Sequence, residues 1–396
     1  MLIAHLADTH LGYRQYNLDE REDDFYDAFE EAVDKILSER VSAVVHAGDF
    51  FEDSRPPIKA IYKARQQLAR LRDRGVKVYA VLGDHDLPKR RAMPPHSLLS
   101  DCLTSLGLDS DYDVVRGDGR EVLVAGLYHH PRKYREDLRG MVARLAELAK
   151  NYPRSVLVLH QAVDRFLPFE YELYLDELAG PFSYVALGHV HRRGSAWLYK
   201  TLVAYSGSLE ITSRDEIEVW REVGKGFYIV DLSKEEAELH RVDLSTIRPQ
   251  MEATVRYEGL EEGLSRIANE AKLCHKKPVV HLKVEGAKVD RRRVYEEGRR
   301  RLSPHVLTWR PEFIEVGEGA VAVEVRGPID YRQLFKEFLG SDEASRLAYE
   351  LLKILRDESR DKEDRVEEAK RLVEEWLRAS SAPAGPSTLN YKRMAK

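Results

Sequence analysis

The sequence predicts an α/β protein on three observations. Its first half alternates short β-rich apolar runs with amphipathic helical stretches, several of those runs end in a turn carrying Asp or His, and the pattern becomes strand-rich after about Leu187. The β-rich runs are Leu2–Ala7, Ala43–Ala47, Val76–Leu82, Val122–Ala125, Val156–Leu159 and Tyr184–Leu187. Between them, Asp19–Arg40 sets Phe25, Phe29, Val33, Ile36 and Leu37 at helical spacing. Its first turns are crowded with acids, which suits the positive end of a helix dipole. A second helix is expected over Ile58–Arg74, stopping at Gly75, and a third over Tyr134–Lys150.

The strands Leu202–Tyr205, Gly226–Asp231 and Glu238–Val242 follow. Met251–Arg326 then reads as a small α+β unit, with helices over Glu261–Leu273 and Arg291–Leu302. Its strands are Val279–Val284, Val306–Trp309 and Ala320–Val325. A highly charged helical segment, Asp342–Leu377, precedes a Ser/Ala/Pro/Gly-rich tail from Ser380 whose composition fits disorder. The expected division is 1–245, 246–330, 331–379 and a tail 380–396, without internal repeats or a coiled-coil arm.

Composition narrows the class. The chain has 396 residues, 43% apolar, and no apolar run near the ~18 residues of a membrane span. An acidic residue, Asp8, arrives too early for a signal peptide, and two cysteines, Cys102 and Cys274, exclude a disulfide framework. These features set the expectation of a reducing, cytoplasmic setting. Charged residues reach 33%, against a usual ~25%, which fits surface ion-pair networks. The net charge of -5 neither demands nor excludes nucleic acid, because a near-neutral total can hide a local basic groove.

The chemistry concentrates at the strand ends. Leu2–Ala7 runs into Asp8-Thr9-His10, Ala43–Ala47 into Gly48-Asp49, and Val76–Leu82 into Gly83-Asp84-His85-Asp86. Val156–Leu159 ends at His160, and Tyr184–Leu187 runs into Gly188-His189-Val190-His191. Ligands of open α/β sheets gather beyond the carboxyl ends of strands, so these loops are placed to converge. Pooled, they offer Asp8, Asp49 and Asp84 with His10, His160, His189 and His191. That exceeds one tetrahedral zinc and suits two metals sharing a bridging carboxylate. Carboxylate and imidazole without thiolate favour Mn²⁺, Fe²⁺ or Zn²⁺ over Mg²⁺. Any one of these motifs alone is an ordinary capped turn; five at successive strand ends are not explained by packing. His5 and His46 fall within strands and read as core residues; His129 and His130 carry no assigned role, and both cysteines read as inert packing.

This ordered series resembles the calcineurin-like metallophosphoesterase superfamily. Three stretches resemble one branch of it: Ala4-His5-Leu6-Ala7-Asp8-Thr9-His10-Leu11-Gly12, the run from Gly48-Asp49-Phe50-Phe51-Glu52 to Pro57, and Tyr205-Ser206-Gly207-Ser208-Leu209-Glu210. That branch is the meiotic-recombination-eleven family, the nuclease subunit of the DNA double-strand-break repair complex. The resemblance implies a β-sandwich flanked by helices, a small DNA-binding cap and C-terminal helices, in a compact, archaeal-like, nucleoid-associated protein. It implies two Mn²⁺ per subunit, one held by Asp8, His10, Asp49 and His191, the other by Asp49, Asp84, His160 and His189, with Asp49 as bridge. It further implies that His85 acts on the scissile phosphate or leaving oxygen, with Asp86 orienting it. Two positions depart from the family: Asp84 stands where Asn is usual, and Glu52 where His is frequent. Glu52 is expected to be solvated outside the metal shell.

The resemblance implies 3'-5' exonuclease and single-strand endonuclease activity. Candidate phosphate contacts are Arg90, Arg91, Arg192, Arg193, Arg292 and Arg300, although a charge run is more often a solvated face. The C-terminal apolar stripes, with Leu351, Leu355, Val373 and Trp376, suit docking on the coiled coil of a Rad-fifty-type ATPase. No phosphate-loop motif occurs in this chain, so an ATPase must come from a partner. The family forms homodimers, and with the ATPase heterotetramers. Here the helices Ile58–Arg74 and Ser97–Leu106, with Ile61, Leu68, Leu98 and Leu103, are expected at the dimer contact. Two other readings stay open: a phosphoesterase for a small diester or phosphoprotein, and a weakly active DNA-tethering scaffold.

Overall fold

A computed structural model of the chain describes residues 1–88, 92–117, 119–167, 171–315, 331–356 and 362–380. It divides into two units, Met1–Ala320 and Val321–Lys396.

The first unit is built on two six-stranded mixed sheets. In chain order it begins β1 (Leu2–Leu6), α1 (Asp19–Ser38), β2 (Ala43–His46), α2 (Ile58–Asp73), β3 (Lys77–Ala80) and β4 (Thr104–Ser105). It continues with β5 (Tyr112–Gly117), β6 (Arg120–Leu127), α3 (Arg135–Ala149), β7 (Ser155–His160) and β8 (Tyr184–Gly188). Then come β9 (Gly194–Leu198), β10 (Thr201–Tyr205), α4 (Glu216–Val223), β11 (Gly226–Asp231) and β12 (Glu238–Asp243). The sheet orders are β12-β11-β1-β2-β3-β4 and β5-β6-β7-β8-β10-β9.

The strands read as unbroken apolar runs because both faces of each sheet are covered. Ala4, Leu6, Val44, Val78 and Ala80 pack against Phe29, Val33 and Ile36 of α1 and Ala64, Leu68 and Leu71 of α2. Their alternates Ile3, Val45, Tyr79 and Val81 meet Val124, Val156, Val158, Tyr184 and Ala186 of the second sheet. The outer face of that sheet, with Leu123, Ala125, Leu157, Leu159 and Val185, is closed by Leu138, Val142 and Leu145 of α3. The result is a helix–sheet–sheet–helix sandwich. His5 lies between the sheets, its Nδ1 2.7 Å from the Tyr184 hydroxyl, and burial pushes its imidazole down to about 3. His46 is equally buried, its Nε2 3.2 Å from Thr9 Oγ1.

A three-stranded parallel sheet completes the unit, with β13 (Gln250–Arg256), α5 (Leu260–Ala271), β14 (Val279–Gly286), α6 (Arg291–Arg301) and β15 (Thr308–Glu315). Ion pairs tie it to the sandwich: Arg248 Nη2 to Asp24 Oδ1 at 2.9 Å, and Arg214 to Glu252 and Glu312. The expected strand Ala320–Val325 and the expected tail beyond Ser380 lie outside the described residues.

In the second unit, α7 (Tyr331–Leu339) packs on α8 (Asp342–Arg356), and α8 on α9 (Lys362–Ser380). Leu351 and Leu355 stand on α8, with Leu355 exposed, and Val373 and Trp376 stand half-buried on α9. No helix among the described residues is long and apolar enough to cross a membrane.

The expected helix Ser97–Leu106 is not formed. Pro94 and Pro95 start a short 3-10 turn, Pro95–Leu99, and Thr104–Ser105 instead pairs with β3. Leu68 and Leu103 are core residues, so neither is available to a dimer contact; Ile58, Tyr62 and Leu98 are the apolar side chains exposed on this side.

Candidate metal centre

The seven expected ligand residues are contributed by the carboxyl ends of five parallel strands, three from one sheet and two from the other. The segment after β1 is laced to the segment after β2: Asp8 N–H donates to the Gly48 carbonyl at 3.0 Å and His10 N–H to that of Asp49 at 3.1 Å. Across the sandwich, the His189 N–H donates to Asp8 Oδ1 at 3.0 Å. Asp8, His10, Asp49 and His189 all hold left-handed backbone, with φ of 52°, 45°, 52° and 88°. Two glycines permit the close approach. A Cβ on Gly48 (φ +91°) would lie 2.3 Å from His160 Nδ1, and one on Gly83 2.0 Å from Asp49 Oδ1.

These side chains gather in three overlapping groups whose donor atoms lie within 4.8 Å of one another: Asp8 with His10 and His191, Asp84 with His160 and His189, and Asp8 with Asp49 and His160. Asp49 occupies the middle. Its Oδ2 is 3.8 Å from His10 Nε2 and 3.4 Å from His160 Nε2, while its Oδ1 accepts the His85 backbone N–H at 3.0 Å. Asp84 Oδ1 is 3.1 Å from His160 Nε2 and 3.2 Å from His189 Nδ1.

The electrostatics favour a cation. Burial opposes a charged His10, yet Glu52, Asp49 and Asp8 outweigh it and raise the imidazole to about 9. Burial likewise opposes charge on His160, and Asp49 and Asp84 overcome it, holding the ring well above its usual value. Burial pushes the Asp49 carboxyl up, and His160 and His10 bring it down below its usual range. A cluster that draws protons onto its own buried imidazoles attracts positive charge generally. The fit is sharpest at His10 and His191, whose Nε2 atoms face each other at 3.1 Å. Their Nδ1 atoms already face glutamates, His10 with Glu52 at 2.8 Å and His191 with Glu216 at 2.9 Å. Two ring nitrogens turned together in this way repel unless a proton or a metal ion satisfies their lone pairs.

Three expectations change. Asp86 does not orient His85: it is wholly buried, and its carboxylate accepts backbone N–H groups of Phe50, Phe51 and Gly83. Burial is what pushes that carboxyl up. His85 is instead held through Nδ1, 2.7 Å from the Glu52 carbonyl, and its ring, 39% exposed, borders a cleft of about 790 Å³ with Arg55, Leu87 and Met93. Glu52 is not merely solvated, since its side chain reaches His10 and its main chain reaches His85. Arg193 is buried, its guanidinium consumed by Asp243 and the Val242 carbonyl, so it offers nothing to a phosphate.

Among the other basic candidates, Arg192 is exposed, Arg292 is exposed beside Glu296, and Arg300 pairs with Glu297. Arg90 and Arg91 lie outside the described residues. Two supporting residues carry no sequence signal. His129, pushed down to about 4 by burial, stacks on His189 at 5.7 Å and meets the His160 carbonyl at 3.0 Å through Nδ1. Glu216 backs His191 from the first turn of α4.

Residues 1–193 match the family model described as calcineurin-like phosphoesterase. The chain is 38% identical over 286 residues to the DNA double-strand break repair protein Mre11 of Methanocaldococcus jannaschii, covering 72% of this chain and 77% of that one. It is 35% identical to the Mre11 of Saccharolobus solfataricus, covering 74% and 78%. A dimetal phosphatase from Danio rerio aligns with 60% of this chain and 98% of its own at 13% identity, with a TM-score of 0.38, too low to carry an argument. Metallophosphoesterases hold a two-metal centre, and the carboxylate–imidazole groups described above fit one. The chain belongs to the Mre11 family of metal-dependent phosphodiesterases.

Proposed function

We propose that this protein is a Mn²⁺-dependent nuclease that processes DNA ends at double-strand breaks, cutting 3'-5' exonucleolytically and single strands endonucleolytically, alongside a coiled-coil ATPase. The observation that carries the reading is the convergence of three carboxylates and four imidazoles at the strand ends, in a family whose relatives are DNA double-strand break repair proteins. In this reading Asp8, His10, Asp49 and His191 hold one ion and Asp49, Asp84, His160 and His189 the other. Ions held there would lower the pKa of a water and neutralise charge on the attacking and leaving oxygens.

The chain's own residues do the rest. Asp49 spans the two groups, and the His85 N–H fixes its second oxygen at 3.0 Å. His85, anchored at Nδ1, keeps Nε2 for the phosphodiester, and in its imidazolium form gives the Nε2 proton to the leaving oxygen, ending as the neutral Nδ1–H ring. Exposed Arg192, directly after His191, with Arg292 and Arg300 on α6, supplies sequence-independent phosphate contacts. Helices α8 and α9 supply the partner-docking face through Leu351, Leu355, Val373 and Trp376, and the exposed side of α2 the homodimer contact.

The test is cleavage of end-labelled duplex and single-stranded DNA in Mn²⁺ by wild type, His85→Ser and Asp8→Ala. Loss of cleavage in both variants is expected; unchanged cleavage in both would overturn the assignment.

A further inference from the structure

Among the described residues outside the seven of the centre, the most heavily engaged buried ionisable group is Glu216. Both of its oxygens are used. Oε1 meets His191 Nδ1 at 2.9 Å, the Thr212 hydroxyl and the Ser213 N–H at 3.2 Å; Oε2 accepts from the Ser208 hydroxyl at 3.1 Å and from the Lys225 ammonium. Lys225 is itself buried and also donates to the His191 carbonyl at 3.3 Å, so one ion pair grips both the ring and the main chain of His191. The Lys225 ammonium, the Ser208 and Thr212 hydroxyls and the Thr212 and Ser213 N–H groups all donate to Glu216, a set of donors that fits a carboxylate and not a carboxylic acid.

An ionised carboxylate only accepts hydrogen bonds. The Thr212 hydroxyl hydrogen is committed to Glu216, so its oxygen, 2.8 Å from His191 Nδ1, can only accept there too. Both neighbours of Nδ1 are therefore acceptors, which places the proton on Nδ1 and leaves the Nε2 lone pair turned toward His10 and Asp8. On the other side of the centre His160 Nδ1 also meets an acceptor, the Ala47 carbonyl at 2.7 Å with Asp8 Oδ1 at 4.0 Å, so there a main-chain carbonyl takes the place of the lysine-anchored glutamate.

We propose that Glu216, anchored by Lys225 and Thr212, is the positioning residue that locks His191 in its Nδ1–H tautomer and aims Nε2 at one of the two metal positions. The inference rests on the reading of His191 as a ligand. The protonated Nδ1 fixes the ring plane and raises the basicity of Nε2, so losing the carboxylate weakens one ion and spares the other.

The test is titration of Mn²⁺ alone into the full chain, counting ions and affinities from the free-ion electron paramagnetic resonance signal. Wild type is expected to bind two ions. Glu216→Gln is expected to weaken one of them by about 10–100-fold and leave the other unchanged. Because an orphaned Lys225 ammonium threatens the fold, the double variant Glu216→Leu/Lys225→Met removes both charges and is expected to show the same one-ion defect. Two ions at wild-type affinity in either folded variant would overturn the proposal. A readout needing no variant at the glutamate is ¹⁵N-histidine NMR of the wild-type chain, with His191 assigned by His191→Gln. An Nδ1–H signal is expected, and an Nε2–H tautomer would overturn the proposal. If His191→Gln keeps both ions at full affinity, the ligand assignment itself fails, separating that failure from one confined to Glu216.

Discussion

Asp86 and Phe51 belong to different loops, and the Asp86 carboxylate accepts the Phe51 backbone N–H at 2.9 Å. With Phe50 at 3.1 Å and Gly83 at 3.0 Å, one buried side chain staples the loop bearing Asp49 to the loop bearing Asp84 and His85. Each buried donor left unpaired costs about 1–3 kcal/mol, and such costs are not additive. Asp86→Ala is therefore expected to lose roughly 3–5 kcal/mol in urea unfolding with EDTA present. His85→Ser, a partly exposed position, is expected to change stability by less than about 1 kcal/mol. Equal stability of the two variants would argue that Asp86 serves chemistry and not the scaffold.

His85 is anchored through Nδ1 to a main-chain carbonyl, although a ring nitrogen also lies within 4.8 Å of donor atoms of Asp49 and Asp84, and of His10 and Glu52. Its replacement should separate chemistry from metal loading. For His85→Ser we expect turnover to fall by about 10²–10⁴-fold, the range of a lost general acid or base. Mn²⁺ affinity, measured by titration, should stay at the wild-type value; a parallel loss of an ion would make His85 a ligand.

Asp84 holds two imidazoles through one oxygen, at 3.1 and 3.2 Å, and the His160 and His189 interactions pull its carboxyl far down against the burial that opposes them. An asparagine presents the same oxygen without the charge. Asp84→Asn is expected to keep both Mn²⁺ at saturating concentration and to shift turnover within about tenfold, the effect of ~1.4 kcal/mol on a barrier. Loss of one ion in that variant would show that the extra charge is required for binding.

Away from the centre, Glu31 on α1 accepts the N–H groups of Ser245 and Thr246, each at 2.9 Å, where the chain passes toward the small sheet. Partial burial pushes its carboxyl up, but these hydrogen bonds outweigh it and bring it down to about 2 from 4.5. A carboxyl lowered on folding stabilises above its unfolded value and loses that contribution as pH falls through its folded one. The window is thus from pH about 4.5 down to about 2. Glu31→Gln should flatten the acid limb of a melting-temperature profile there; an unchanged limb would show that other carboxylates govern it.

The sandwich was legible because its strands are covered on both faces and its helices carry one apolar stripe. Leu2–Leu6 and Ala43–His46 therefore stand out as unbroken runs, and α1 as a periodic one. The candidate ligands were legible because each directly follows such a run. What escaped lacks local signal. The expected strand Val306–Trp309 stopped short of Pro311, a residue that argues against a strand, whereas β15 runs on through it to Glu315, which is tolerated because β15 is an edge. β5 and β9 are likewise edge strands, with weaker apolar patterns. Glu216 and Lys225 sit 25 and 34 positions beyond His191, and only the tertiary fold makes them its neighbours. Arg193 looked like part of a basic pair, yet the tertiary fold brings Asp243 and the Val242 carbonyl at the end of β12 against it.

Asp8, His10, Asp49 and His189 share backbone with positive φ, a conformation costing roughly 1–3 kcal/mol at each non-glycine residue. Glycine at any of these four positions would relax the chain while deleting the donor atom. Heat tolerance and activity are therefore opposed at these sites. A lineage selected only for persistence of the folded state would drift toward glycine there and arrive at a sturdier, inert protein. In their proposed role as ligands, the strained aspartates and histidines set chemistry against the preference of the fold.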